Sequence, residues 1–288
     1  MWLKHPDPRM FHEEAPNSDG VLHLRYLGTA GFVLEMGQRT IVLDPFVSRF
    51  GILRTLFGRL EPDHDAIRHW IPRADEVLVG HAHHDHVLDA PVLCRQTGAR
   101  LIGSRAVCNV GRSFGLSEAQ LRETSGQDVV SSGALEIRGL PSRHGRVYFN
   151  RVTLPGDIPS PPPWPPRVHD LRHGDVLNWH VSGAGASIVH IDSADFIEEE
   201  LRGLRADVLC LCAIGRRYRP DYVRDAVRLL KPRWVVPCHW EWFFDPIDRP
   251  ARCLPGVNLA GFVQEVREAG SQAILLPTGG RFTVSREC

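Results

Sequence analysis

His81-Ala82-His83-His84-Asp85-His86 is the stretch that decides how this chain is read. It brings the metal-capable side chains of His81, His83, Asp85 and His86 within six residues. It follows Glu76-Val77-Leu78-Val79-Gly80, which reads as a short buried strand running out at a glycine. Neutral imidazole and carboxylate are good ligands for zinc and similar divalent ions. His81 and His83, two apart where a strand gives way to a loop, can point the same way and hold one ion. Asp85 and His86 follow as the chain turns into a helix expected over Val87 to Gln96, so they can face a second. A lone histidine here would be read as an ordinary core or surface residue. Four ligands at this spacing are not.

The pattern H-x-H-x-D-H resembles the metal-binding signature of the metallo-β-lactamase superfamily. Gly28-Thr29-Ala30-Gly31-Phe32, followed by Ile41-Val42-Leu43-Asp44-Pro45, resembles the opening hairpin of one branch. That branch contains L-ascorbate-6-phosphate lactonase-like and N-acyl-phosphatidylethanolamine phospholipase D-like proteins, many of which carry a histidine where this chain has Thr29. In motif order the resemblance runs from about residue 22 to about residue 285.

Composition frames the reading. The chain has 288 residues, is 43% hydrophobic, and balances 34 Lys+Arg against 34 Asp+Glu. That is enough for a sizeable core, and the balance argues against general nucleic-acid binding. Seven cysteines, an odd number without a C-x-x-C pair, do not make a disulfide framework. Cys210 and Cys212 read as buried small hydrophobes. Residues 1–20 are polar and proline-bearing, without the apolar core of a signal peptide, and are expected to form an N-terminal arm, with His5 and His12 solvated. No apolar run reaches the length of a membrane span. A reduced, cytoplasmic setting is expected.

In chain order, strands are expected at His23–Leu27, Phe32–Met36 and Thr40–Leu43, the last ending at Asp44-Pro45. Asp44 suits a supporting or capping role better than direct ligation. A short helix is expected near Asp65–Trp70, with His64 and His69 on the surface. Ser104 suits the N-cap of a helix to about Phe114. Strands at Asp128–Val130 and Ala134–Leu140 lead to His144.

Prolines then break the pattern over about residues 155–175. The loop lies between metal-ligand candidates, so it is read as an insertion within one hydrolase domain spanning 21–288, either a lid or an inert excursion. His169, His173 and His180 there are candidates for substrate contact or proton transfer. Paired strands at Val176–Ser182 and Ala186–Ile191 end at Asp192, with Asp195 as its competitor. Arg216, Arg217 and Arg219 precede a helix expected from Pro220, with Tyr222, Val223, Ala226, Val227 and Leu230 on its apolar face. They are candidates to receive a phosphate or carboxylate, the alternative being a solvated turn. Strand Trp234–Pro237 leads into His239. Trp240, Trp242, Phe243 and Phe244 either wall an apolar substrate site or pack the core, and Trp240 is the candidate substrate contact.

The resemblance implies the rest. The fold is α/β, a four-layer αβ/βα sandwich of two similar halves with the site at its edge. His81, His83 and His144 would hold one ion, Asp85, His86 and His239 another, and Asp192 would bridge them. Two divalent ions, zinc first and iron or manganese next, would activate a bridging water to hydroxide, with Asp85 orienting it or accepting its proton. Histidine at position 83 weighs against the diiron oxygen-reducing relatives. The reading is a hydrolase acting on a small-molecule or lipid-like substrate, with a phosphodiester first and a lactone or other ester or amide second. Nucleic-acid processing stands third, and a non-catalytic metal-dependent binding protein is the alternative from another class.

Overall fold

The computed structural model describes residues 3–13, 19–126 and 128–285. The first half contains β1 (Leu22–Gly28), β2 (Gly31–Met36), β3 (Arg39–Leu43), α1 (Ile52–Phe57), α2 (His64–Trp70), β4 (Glu76–Leu78), α3 (His84–Val87), α4 (Ala90–Thr97), β5 (Arg100–Gly103), α5 (Arg105–Phe114) and β6 (Leu121–Glu123). The second contains β7 (Val129–Ser132), β8 (Leu135–Ser142), β9 (Val176–Gly183), β10 (Ala186–Ile191), α6 (Glu198–Leu201), β11 (Val208–Cys212), α7 (Tyr222–Leu230), β12 (Trp234–Cys238), α8 (Leu259–Glu268), β13 (Gln272–Ala273) and β14 (Arg281–Val284).

These strands make two seven-stranded sheets, in the orders β14-β1-β2-β3-β4-β5-β6 and β13-β12-β11-β10-β9-β8-β7. Each sheet is antiparallel on one side and parallel on the other. The parallel pairs need crossovers, and the helices supply them. β14 returns to pair with β1, so the last strand closes the first sheet.

Side-chain alternation fixes the layers. Leu22, Leu24 and Tyr26 of β1 and Phe32, Leu34 and Met36 of β2 face the core between the sheets, which also takes in Ile137, Trp179, Val181 and Ile188. Val33, Val42, Val77 and Leu101 face the other way, against Ile67, Leu93, Val107 and Val110 of the helices. A period of two thus serves two cores at once, as a sheet covered on both faces requires. The architecture is the expected α/β sandwich. α7 buries Tyr222, Val223, Ala226, Val227 and Leu230, the face read from sequence, but starts past Pro220, after Asp221.

Two segments differ from expectation. The arm expected over residues 1–20 falls partly outside the described residues, but 3–13 lie on the body. Phe11 bridges to Leu275, His12 N donates to Leu275 O at 2.7 Å, and Cys253 N donates to Lys4 O at 2.8 Å. His5 stays exposed, while the His12 ring sits edge-on to Phe282 at 5.4 Å. The proline-rich loop is strapped to the outer helices. Ser113 Oγ donates to Pro162 O (2.6 Å), Asn109 Nδ2 donates to Ile158 O (2.8 Å), Leu60 N donates to Pro166 O (2.8 Å), and Trp164 packs on Phe114 at 5.0 Å. Its middle is anchored surface, and its two ends, Leu154 and His173, reach the centre described next.

Candidate metal centre

The centre is built from residues lying just past strand ends. β3 runs into Asp44, β4 into His81 through Gly80, β8 into His144, β10 into Asp192 and β12 into His239. Gly80 is required by close approach, because a side-chain carbon there would collide with the Asp192 carboxylate, 2.7 Å from its Cγ. His83 caps α3, whose single turn carries His84, Asp85 and His86.

Three trios form: His81, His83 and His144; Asp85, His86 and His239; and, between them, His81, His86 and Asp192. Within each trio the ligand atoms lie within 4.8 Å of one another. All six histidine and carboxylate neighbours of His144 in this set are buried, and His144 is partly so. Asp192 fell where the sequence put it, with Ser193 Oγ beside it accepting from Gly145 N at 2.8 Å and so fixing the loop that carries His144. Asp195, the competitor, is turned away onto Arg219 at 2.9 Å.

Most of the imidazoles are held from behind. His81 Nδ1 meets Asp192 Oδ2 at 2.6 Å, His86 Nδ1 meets Asp44 Oδ2 at 2.8 Å, His144 Nδ1 meets Gly145 O at 2.7 Å, and His83 Nε2 meets Leu154 O at 3.4 Å. Each of these nitrogens faces an acceptor and must carry the proton, so the other nitrogen of each ring offers a lone pair. Those lone pairs converge, with His81 Nε2 only 3.0 Å from His83 Nδ1. Burial first, then neighbouring histidines, holds His81, His83 and His86 well below the ordinary imidazole range, and burial also lowers His144. Burial works against ionisation of Asp85, but His84, His86 and His239 outweigh it and hold the carboxyl well below its usual range. Neutral imidazoles and ionised Asp85 are the forms that bind metal. Asp192 Oδ1 is buried without a hydrogen-bond partner, as is His239 Nδ1. Converging lone pairs and an orphaned carboxylate oxygen are costly unless a cation fills the space between them, so the residues fit divalent metal.

Asp44 plays the supporting part expected of it, since Oδ1 accepts from Gly80 N at 2.7 Å while Oδ2 holds His86. Burial, then the adjacent Asp192 carboxylate, raises it well above the ordinary carboxylate range.

The sequence profile of a family described as the beta-lactamase superfamily domain matches residues 23–239. The chain belongs to the beta-lactamase superfamily. A UPF0173 metal-dependent hydrolase of Methanopyrus kandleri is 26% identical over 253 residues, covering 86% of this chain and 93% of that protein. Another, of Thermococcus kodakarensis, is 28% identical over 229 residues, covering 76% of this chain and 85% of its own length. Among solved structures, a metallo hydrolase of Ignicoccus hospitalis aligns with a TM-score of 0.60 at 20% identity, covering 92% of this chain and 99% of that one. The diiron β-hydroxylase CmlA of Streptomyces venezuelae aligns at 0.57 and 16% identity, covering 93% of this chain and 55% of that one. Those two likenesses establish the fold shared across the superfamily. The profile match, the relatives and the His/Asp centre together bear out a metal-dependent hydrolase of the metallo-β-lactamase superfamily.

Other candidates are placed differently. Trp240 is wholly buried in the core, stacked on Tyr26 at 6.4 Å and against Phe11 at 6.0 Å, so it walls no substrate site. Phe243 does lie at the centre, 5.6 Å from the His239 ring, and with Phe46 it flanks His84. The arginines line a cavity of about 590 Å³ that includes none of the metal-centre residues. Arg216 is paired with Glu265 at 3.1 Å, Arg219 with Asp195 and Glu198, and Arg217 lies over the Tyr218 ring. They do not face the centre. Of the loop histidines, His173 stacks on His144 at 5.6 Å and sits 5.9 Å from His83, whereas His169 is exposed and His180 lies on β9.

Sequence reasoning missed a buried brace beneath His239. Glu241 accepts from Tyr26 Oη at 2.6 Å and from Thr29 N, and pairs with Arg49 at 3.5 Å; Arg49 also donates to Thr29 Oγ1 at 3.0 Å. Thr29 O in turn accepts from His239 N, holding that residue at φ 52°. The one signal was a glutamate set among four aromatics.

Proposed function

We propose that this chain hydrolyses an ester bond at a centre of two divalent cations, a phosphodiester in the first instance. The observation that carries the proposal is the pair of trios with inward lone pairs, linked by His81, His86 and the unpartnered Asp192 Oδ1. In this reading His81, His83 and His144 would hold one cation and Asp85, His86 and His239 the other, with Asp192 available to both. Two bound cations would lower the pKa of a water between them and polarise the ester oxygen. Asp44, Gly145 O and Leu154 O fix ring orientation and tautomer, so that the ligand atoms need no rearrangement. Asp85 Oδ2 faces His239 Nε2 at 3.2 Å, and Oδ1 faces His84 Nδ1 at 3.5 Å, leaving Asp85 ionised to orient a water or take its proton. Phe46 and Phe243 exclude water on that side and suit an apolar flank of the substrate.

Five imidazoles with two carboxylates suit zinc first, with iron or manganese next. A phosphodiester leads because two cations held by these residues would supply the positive charge that an anionic phosphoryl group calls for. A lactone or other carboxylic ester is the second reading. It is favoured by Arg216 and Arg219 being committed to carboxylates and Arg217 to Tyr218, all three in a cavity apart from the centre.

The test is hydrolysis of bis(p-nitrophenyl) phosphate by zinc- and manganese-loaded protein, with metal counted in the same samples. Metal-dependent nitrophenol release from protein holding two ions supports the phosphodiester. Two ions without release transfers the assignment to lactones and esters. One ion or none defeats the seven-ligand site. Metal-loaded Asp85→Asn should lose turnover, and turnover equal to the parent would remove Asp85 from the chemistry.

A further inference from the structure

α1 is an amphipathic helix mounted inside out. Thr55 is its one buried residue, while Ile52 (44% exposed), Leu53 (72%), Leu56 (53%) and Phe57 (72%) stand in solvent. At 100° per residue these four side chains fall within an arc of about 140°, a continuous apolar stripe. A helix of a water-facing surface would turn this stripe inward. The helix is not adrift. Phe57 O accepts from Arg167 Nη1 at 3.2 Å, and Arg59 Nη1 donates to Pro165 O at 2.7 Å, so the proline-rich strap holds the helix with its stripe outward.

The rim of the stripe is basic. Arg54 lies over the Phe50 ring at 5.0 Å, and Arg59 and Arg167 each give a guanidinium hydrogen to a backbone carbonyl, with further donors left for an anion. Among the described residues, none of the three is neutralised by a carboxylate. An apolar stripe with unneutralised arginines is complementary to an anionic lipid surface, where the side chains enter the acyl boundary and the guanidinium groups meet phosphates. A second protein copy fits less well, because a stable interface takes about 20–30 residues a side and this stripe presents four. Behind the helix, Arg54 covers Phe50, the first of two buried rings that end at His84, the neighbour of Asp85. Phe50 lies 6.4 Å from Phe46, whose ring is 5.7 Å from His84.

We infer that α1 docks this protein peripherally on an anionic membrane surface, with Phe50 and Phe46 lying between the helix and His84. The inference stands apart from which bond is hydrolysed, and its test uses no turnover. The full chain is sedimented with vesicles of phosphatidylcholine alone and of phosphatidylcholine mixed with phosphatidylglycerol. The parent should partition onto the mixed vesicles, less so at raised salt. Leu53→Asp with Phe57→Asp should weaken partition at least about tenfold, and Arg54→Gln about fivefold. Both positions are exposed, so the double variant should melt with the parent. Three results overturn the inference: no partition of the parent onto anionic vesicles, partition unchanged in the double variant, or a parental dimer that the double variant dissociates while neither form binds lipid.

Discussion

Gly80→Ala tests the way the centre is seated. The added methyl would meet Asp192 Oδ2 directly, 2.7 Å from Cγ and 2.9 Å from Leu177 O. Carbon contacts are comfortable at about 3.5–4.0 Å, so something must move by roughly 1 Å. Leu177 is pinned, since its N–H donates to Gly80 O at 2.8 Å, and the Asp192 side chain is left to yield. Overpacking of this kind costs about 1–3 kcal/mol. Drawing Asp192 away from His81 Nδ1, now at 2.6 Å, removes a hydrogen bond to a charged group worth about 1.5–3 kcal/mol more. The metal-free variant should therefore be destabilised by about 2.5–6 kcal/mol in urea unfolding, with a melting point lower by roughly 5–20 °C. Zinc affinity, measured by competition with a chromophoric chelator, should fall about 10- to 100-fold because His81 loses its orienting carboxylate. Gly51→Ala is the control, for a methyl there meets nothing within 4 Å and φ is −62°. It should cost less than about 1 kcal/mol. Gly80→Ala within about 0.5 kcal/mol of the parent, with unchanged zinc affinity, would refute the argument that Asp192 is held against Gly80.

Asp44→Asn keeps an acceptor for Gly80 N but sets an amide NH2 against His86 Nδ1–H, so zinc affinity should drop about 10- to 100-fold by the same chelator competition. Chelation of a protein saturated to about 1,000 times its dissociation constant should lower stability by about 4 kcal/mol per ion, and calorimetry with and without chelator reads it directly. Asp89, buried where it accepts from Val47 N and Ser48 N, has its pKa pushed up to about 6 by burial against the opposing pull of those hydrogen bonds. Its folded form thus binds the proton more tightly than the unfolded chain does. That contribution to stability is full below the ordinary value of 3.8 and is lost as pH rises through about 6. Carboxyl-carbon NMR should find this titration near pH 6, and an apparent pKa near 4 would contradict the burial argument.

The residues of the candidate centre were legible because each depends on short-range pattern. Asp44, His81, His144, Asp192 and His239 follow strand ends, and a strand end shows in sequence as an apolar run meeting glycine, proline or a polar residue. The apolar face of α7 was legible for the same reason, because one helix carries the whole signal. Long-range pairings were not. Arg49 and Glu241 lie 192 residues apart and declare themselves only when the loop at Thr29 folds beneath His239. The arginines looked like an anion site because sequence hides the partners of two of them, Glu265 from α8 for Arg216 and Glu198 from α6 for Arg219.

Trp240, the expected substrate contact, went to the core, while Phe243, open between wall and core, came to the centre, for a local reason. His239 leaves β12 with φ at 52°, and within the aromatic stretch that follows, Trp240 to Phe244, Glu241 alone makes an isolated bridge, to Cys253. Strand alternation therefore ends at Cys238, and with it the rule that would sort four aromatics onto two faces. α1 carries the opposite lesson. Its apolar spacing is well formed, and periodicity alone would bury Leu53 and Phe57. What holds them outward is the strap from Pro165 to Arg167, more than 100 residues away: Arg167 donates to Phe57 O at the helix end, Pro165 O accepts from Arg59 just past it, and the apolar side chains are left free. Periodicity gives the existence of an apolar face; only the tertiary anchors say whether that face meets the core or something outside the chain.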